Sequence, residues 1–535
     1  MNFRTALLSV IVTGCSGTPP CGPSTCATGC CAMGQCVAGT ELTQCGAGGN
    51  ACDICVANQQ CIMGRCGAAD AGAVELPAGR TVEVTRTDEY LLADGGVLKD
   101  VVDLGAKAAT ARLLSPTDGG FLELRAVVEP GNALVFQRVP AGPYLVLRDD
   151  TWVSSDDDFV DLGIRVWGHQ RRRISQRNTT LSITATLSAQ LDGGLLEGDF
   201  LWASSANAGT IVEQTRWLPP TLGERESTAV ADLFVQRGAW GMSGAEGDVL
   251  EVSLLRTVAW SIGTYSATRA SALVRAPDIS SGNTATVSAT LVPVTLRRVP
   301  LRFQVSDFEG FVSQAHPSAV RVWAGVTVAA FPRATIGSLG DFIGRSAGLA
   351  NTGFAQPSGG ALDDQVEVPT LRDNTSTVLS VGTLQVTVPF VVATRRFDRE
   401  VEVVVTTDQP GTLLNVTLSP PSNVRLNGVS ATTDRTNVGT TPLLEWQAPA
   451  VGTAAMYDVV ISRLEAGTPV NEFVVARLRT PFTAVRIPPR LLTAGQPHFA
   501  TVTATSIAGV DVKRWPMRSR NVNGRSTTIT SLFTP

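Results

Sequence analysis

Three groups of residues in this sequence could carry chemistry: a serine in a glycine turn, a few histidines and a loop of carboxylates. Gly344-Arg345-Ser346-Ala347-Gly348 has the Gly-x-Ser-x-Gly spacing of a nucleophile elbow, in which a sharp strand-to-helix turn exposes the serine hydroxyl. Such a serine needs a buried strand before it, a helix after it and a histidine to take its proton. Ser338-Leu339-Gly340-Asp341-Phe342 does not read as a buried strand, and the only later histidine, His498, belongs to a different segment. His169 and His316 are the others, and none has His-Glu-x-x-His or His-x-His spacing. The expectation is a non-catalytic chain without a cofactor. A glycosidase built on two carboxylates would need no histidine, but no carboxylate pair stands out.

Asp149, Asp150, Asp156, Asp157 and Asp158 form an acidic loop around Trp152. Several carboxylates on one loop could hold Ca²⁺, which takes six to eight oxygen ligands, although no EF-hand order is present. A solvated loop is the default reading, with Arg171-Arg172-Arg173 answering the charge or facing water. Nine tryptophans against four tyrosines is unusual, and Trp152, Trp167, Trp202, Trp217, Trp240 and Trp260 recur through one region. Exposed, they would be stacking platforms for sugars; core packing is the commoner use.

All 11 cysteines lie at or before Cys66. Arg4 provides a positive start, and Ala6-Leu7-Leu8-Ser9-Val10-Ile11-Val12 is an apolar run too short to span a bilayer. Val12-Thr13-Gly14-Cys15 resembles a bacterial lipobox, which implies a signal peptide over 1–14 and a diacylglycerol on the Cys15 thiol. Ser16, rather than Asp, resembles the rule for export onward to the outer membrane. Ten cysteines remain: Cys21, Cys26, Cys30, Cys31, Cys36, Cys45, Cys52, Cys55, Cys61 and Cys66. An even number suits an exported module with five disulfides over 15–70. Cys31-Ala32-Met33-Gly34-Gln35-Cys36 and Cys61-Ile62-Met63-Gly64-Arg65-Cys66 suggest a duplicated knot, each closing a group of five cysteines. Zinc on Cys52-x-x-Cys55 is the rival, disfavoured because the module has no histidine and the compartment oxidises thiols. A rigid stalk is the expected role.

Charged residues make up 17% of the chain and the net charge is −4, too mild to suggest a nucleic-acid partner. A hydrophobic content of 44% and a mean hydropathy of +0.14 exclude a mainly disordered chain. Lysine occurs at Lys99, Lys107 and Lys513 alone against 40 arginines, a skew that reads as a GC-rich genome.

Behind the cysteines the period is two. Leu181, Ile183, Ala185 and Leu187 alternate with Ser and Thr, as do Ala285, Val287, Ala289 and Leu291, which is the pattern of half-buried antiparallel strands. Asn178-Thr179-Thr180-Leu181 and Asn283-Thr284-Ala285-Thr286 hint at a repeated unit. Further strands are expected at 319–328, 384–388 and 401–405, and a short helix over 338–350. Closely spaced Gly, Pro, Asp and Asn favour sandwiches over parallel α/β units. The fold class expected is mainly β, several tandem antiparallel β-sandwich domains after a small disulfide-rich module. The boundaries are 75–165, 166–300, 301–418 and 419–535.

Arg138-Val139-Pro140-Ala141-Gly142-Pro143-Tyr144-Leu145-Val146-Leu147 resembles the turn and strand of transthyretin-like and carboxypeptidase-regulatory-like sandwiches. Residues 419–510 resemble a fibronectin type III domain. Leu444-Glu445-Trp446 matches its strand B, Tyr457-Asp458-Val459-Val460-Ile461 its strand C, and Leu492, Gly495 and His498 its E–F corner. His498 stands where that family has its corner tyrosine, which implies one hydrogen bond back to the chain from a smaller ring. The closing strand is expected at 526–532.

The whole resembles the cysteine-rich surface lipoproteins of myxobacterial type. The resemblance implies an anchor in the outer membrane or at the cell surface, and β modules that present binding or structural faces to an unknown protein or glycan. The alternative is a surface carbohydrate-binding protein or glycoside hydrolase with its site in the central β region.

Overall fold

The computed structural model describes residues 21–535 apart from 28, 34, 42–43, 56–58, 63, 69–78, 92–95, 106–110, 118–119, 129–132, 168–178, 189–198, 206–209, 214–227, 236–240, 261–262, 281, 333–349, 353–360, 371–375, 408–410, 508 and 519–521. Two compact units divide the chain, Met1–Ala78 and Gly79–Pro535. The protein is mainly β: tandem, largely antiparallel β-sandwich modules follow a disulfide-rich unit. No helix among the described residues is long and apolar enough to cross a membrane.

Among the described residues, the buried apolar side chains of the first unit are Cys26, Cys30 and Cys45. Disulfides therefore do the work of a core. Two hairpins repeat: Cys30–Ala32 with Gln35–Val37, and Gln59–Ile62 with Arg65–Ala68. In each, two cysteines oppose one another across the ladder, Cys31 with Cys36 and Cys61 with Cys66. Neither opposed pair is bonded. Each of these cysteines reaches an upstream partner instead, giving Cys21–Cys31, Cys26–Cys36, Cys45–Cys61 and Cys55–Cys66. The fifth bridge, Cys30–Cys52, joins the two groups. Each group thus keeps two bridges inside, first cysteine to fourth among them, and sends one across, the third cysteine of the first group to the second cysteine of the second. Gly46 leaves room for the crossing bridge, since a Cβ there would stand 2.5 Å from the Cβ of Cys30. Sequence separations of 10 to 22 residues between bonded cysteines correspond to about 3 kcal/mol of denatured-state entropy per bridge.

The described residues of the second unit form four buried apolar clusters. The first lies within 82–162 and belongs to two facing layers. In one layer Arg80–Thr85 pairs with Leu134–Val139 and Phe159–Asp161. In the other, Gly120–Arg125, Arg112–Thr117, Tyr144–Arg148 and Thr151–Ser155 run in that order. Gly142, at φ +102, makes the turn that delivers Tyr144 into the core. Its hydroxyl donates to the Asp157 carbonyl at 2.7 Å, and burial pushes its pKa up.

The second cluster fills a closed ring. Thr180–Leu187, Thr228–Val235, Thr210–Glu213, Phe200–Ser205, Val249–Trp260, Gly263–Arg275 and Thr284–Pro293 pair in that order, and the last pairs back with the first. A ring of seven strands cannot alternate direction all the way round, so one neighbouring pair must be parallel. That pair is Thr180–Leu187 with Thr284–Pro293. On its other side each of the two is antiparallel, Thr180–Leu187 to Thr228–Val235 and Thr284–Pro293 to Gly263–Arg275. Their likeness in sequence is that of two neighbours in register, Thr180 beside Thr284 and Leu181 beside Ala285, with the two threonine hydroxyls 2.9 Å apart. Leu181, Ile183, Leu201, Leu250, Val252 and Leu254 fill the interior against Ala270, Ala285 and Ala289.

The third cluster lies under Leu296–Gln304 with Ala361–Pro369 on one side, and Val320–Pro332, Ser376–Val392 and Arg395–Thr407 on the other. Two short helices, Ser306–Glu309 and Val312–Ala315, close it. Residues 338–349 of the expected helix lie outside the described residues, and Ala350 opens a strand, Ala350–Thr352.

In the last module Ser422–Leu426, Leu443–Gln447 and Ala484–Arg486 face a sheet of Asn471–Thr480, Met456–Glu465, His498–Ile507 and Val522–Ile529. Trp446 is buried between them, edge-on to Tyr457 at 5.2 Å. The closing strand begins four residues before the expected start. Both edges of this sheet are covered: Thr151–Ser155 adds in parallel at Asn471–Thr480, and Arg395–Thr407 adds antiparallel at Val522–Ile529. Each addition pairs three residues of the edge strand.

Candidate functional sites

The acidic loop is positioned by the hairpin Tyr144–Arg148 and Thr151–Ser155 and by the turn that follows it. Every carboxylate on it meets a cation. Asp149 lies 3.5 Å from Arg86 and 3.7 Å from Arg148, and Asp150 lies 3.9 Å from Arg477. Asp156 pairs with Lys513 at 2.9 Å, Asp157 with Arg514 at 3.5 Å and Asp158 with Arg80 at 3.1 Å. The loop is therefore charge-matched, three of its cations coming from the last module. Arg171, Arg172 and Arg173 lie outside the described residues. Among the described residues, three or more potential ligand atoms converge within 4.8 Å only at Cys21, Cys26 and Cys31 and at Cys45, Cys55 and Cys66. All six sulfurs are in disulfides, and so are Cys52 and Cys55 of the zinc spacing.

Beneath the loop is a buried charge cluster that the sequence did not disclose. Asp88, Glu89 and Asp161 are each less than 5% exposed. Asp88 takes the Arg86 guanidinium at 3.0 Å and lies 3.8 Å from Arg148, whose pKa is lowered by burial and by neighbouring Arg86. Glu89 pairs with Arg165 and, at 3.3 Å, with Arg518. Asp161 takes Arg518 at 2.6 Å, and its other oxygen accepts the Thr87 and Gly163 backbone N–H groups at 2.8 and 2.7 Å. No carboxylate of this cluster is left uncompensated, as buried charges require.

The described histidines are structural. His498 is fully buried; its Nδ1 donates to the Gln496 carbonyl at 2.8 Å and its Nε2 accepts the Thr493 N–H at 3.4 Å. It stacks on Phe533 at 5.8 Å. The ring thus makes two bonds back to the chain, one more than expected. His316 ties the Val312–Ala315 helix to the C-terminal end: Nδ1 accepts the Ser318 N–H at 3.1 Å and Nε2 donates to the Ser531 hydroxyl at 3.0 Å. Burial lowers both histidine pKa values. The Ser318 and Ser531 hydroxyls both lie against the His316 ring, at 2.7 and 3.0 Å. The Gly344–Gly348 motif, His169, Trp217, Trp240 and the lipobox with Cys15 lie outside the described residues.

Two tryptophans proposed as sugar platforms are not exposed. Trp152 packs against the apolar cluster of the last module, and Trp202 is buried beside the ring. Trp167 and Trp260 end the strands Arg165–Trp167 and Val249–Trp260.

No family model matches the chain, and no curated protein does. Solved structures give remote likenesses. Domains A168–A170 of titin are 10% identical with a TM-score of 0.13, over 68% of this chain and 97% of that one. The FN1–FN3 domains of chicken CNTN1 are 8% identical with a TM-score of 0.12, over 67% and 97%. A streptococcal ancillary pilin is 9% identical with a TM-score of 0.10, over 75% and 100%. Scores this low carry no argument about function.

Proposed function

We propose that this is a non-catalytic, lipid-anchored cell-surface protein that displays β-sandwich modules beyond a disulfide stalk. The observation that carries the reading is the cysteine arithmetic. Ten cysteines form five bridges, and the eleventh, Cys15, is the one in the lipobox-like motif. Five bridges suit an oxidising compartment, and a diacylglycerol on Cys15 would give the chain its membrane attachment. Among the described residues, the conspicuous carboxylates and histidines are engaged in ion pairs and hydrogen bonds within the fold.

Expression in a bacterial host with radiolabelled palmitate tests this. The label should follow the full chain into the membrane fraction, and Cys15→Ser should abolish the label and release the protein. A membrane-bound, unlabelled wild type would sink the proposal. The carbohydrate reading is tested by a glycan array on the same full chain, where saturable binding would move the assignment to it.

A further inference from the structure

Residues 511–518 connect two strands of the last module, yet Lys513, Arg514, Met517 and Arg518 reach the first. We propose that this segment is a strap that makes the first and last β-sandwiches of the chain one cooperative unit. Two of its residues reach inside the first sandwich. Met517 packs against the cluster of Val82, Phe136, Tyr144 and Val153. Arg518 enters the buried carboxylates Asp161 and Glu89 and donates to the Thr87 carbonyl at 3.3 Å. Asp161 is itself bonded to two backbone amides of its own sandwich, so pulling out Arg518 disturbs a charge that holds a turn.

The strap is also bonded along its backbone. The Asp161 N–H donates to the Arg514 carbonyl and the Ser155 hydroxyl to the Lys513 carbonyl, both at 2.8 Å. Toward its own module, the Pro516 carbonyl accepts Arg479 at 3.2 Å, and Arg479 is held by Asp458 at 2.6 Å. Arg479 lies on Asn471–Thr480, the strand to which Thr151–Ser155 adds in parallel. Leu114 and Leu145 of the first sandwich complete the picture by entering the apolar cluster of the last. Each sandwich therefore lends core atoms to the other, across 357 positions of sequence at the Arg518–Asp161 pair.

Native-state hydrogen exchange on the full chain tests the proposal, with Arg518→Gln, Met517→Asp and Met517→Leu. In the first two variants, protection at Val153 and Asp161 and at Arg479 and Thr503 should fall together by the same factor, on the order of tenfold or more. Protection in Thr180–Leu187 and Val249–Trp260 should hold, and Met517→Leu should match wild type. A loss confined to 511–518, or to one of the two sandwiches, would overturn the proposal, as would an equal loss throughout the ring. If Met517→Asp does not accumulate folded, Arg518→Gln gives the same readout.

Discussion

Arg518 sets one guanidinium against two buried carboxylates, and its loss is predicted to be the costliest single change among the charged residues described. Arg518→Ala leaves Asp161 and Glu89 short of a cation, and breaking a buried pair this way costs about 3–5 kcal/mol. Denaturant titration measures it; a loss under about 1 kcal/mol, the range of exposed pairs, would show that the cluster is solvated. The histidines give a pH dependence. His316 and His498 have folded pKa values below their unfolded ones, so the unfolded chain binds protons first. Stability should be complete above the unfolded value of about 6.5 and be lost as pH falls from there toward the folded values. Unfolding at pH 5 to 8 should show this slope, and His498→Gln should reduce it; a slope unchanged in that variant would mean that His498 does not titrate. At this scale the sequence disclosed which residues were chemically conspicuous but not their partners. His498 was legible as a corner residue because its spacing from Leu492 and Gly495 is local. The partners of Asp156 and Asp157 were not, because Lys513 and Arg514 lie in another module.

Strand positions were legible and strand neighbours were not. The alternation of Leu181, Ile183, Ala185 and Leu187 identifies a half-buried strand whatever it pairs with, because period two reports burial and nothing else. Direction follows from closure of the seven-strand ring, which no local pattern encodes. The hairpin Ser376–Val392 and Arg395–Thr407 offers a test of element-level energetics. Its two turn residues, Ala393 and Thr394, both have positive φ, at 47° and 70°. That backbone favours Asn-Gly, and an L-residue with a β-branch is strained in it by about 1–2 kcal/mol. Ala393→Asn with Thr394→Gly should therefore raise the midpoint of thermal unfolding by a few degrees, and a lower midpoint would show that the tip is not a turn of this type.

At the scale of the molecule, the two units rest on different physics. Among the described residues the first has cystines in place of an apolar core and the second has four apolar clusters, and no cysteine follows Cys66. Reduction should abolish amide protection at 21–68 while leaving the thermal transition of Gly79–Pro535 unmoved; a shift in that transition would contradict the division. The cysteine module was readable from composition because a chain without large apolar residues has few other ways to hold a shape. Its pairing was not, since ten cysteines admit many connectivities and only three-dimensional placement chooses among them. The central claim is that the eleventh cysteine is the lipid anchor of a surface protein. Mass spectrometry of the N-terminal peptide from protein extracted out of native membranes tests it most directly. The account predicts a peptide beginning at Cys15, heavier by a diacylglycerol, with no free thiol in the chain. A mature peptide beginning beyond Cys15, or a Cys15 with a free thiol, would contradict it.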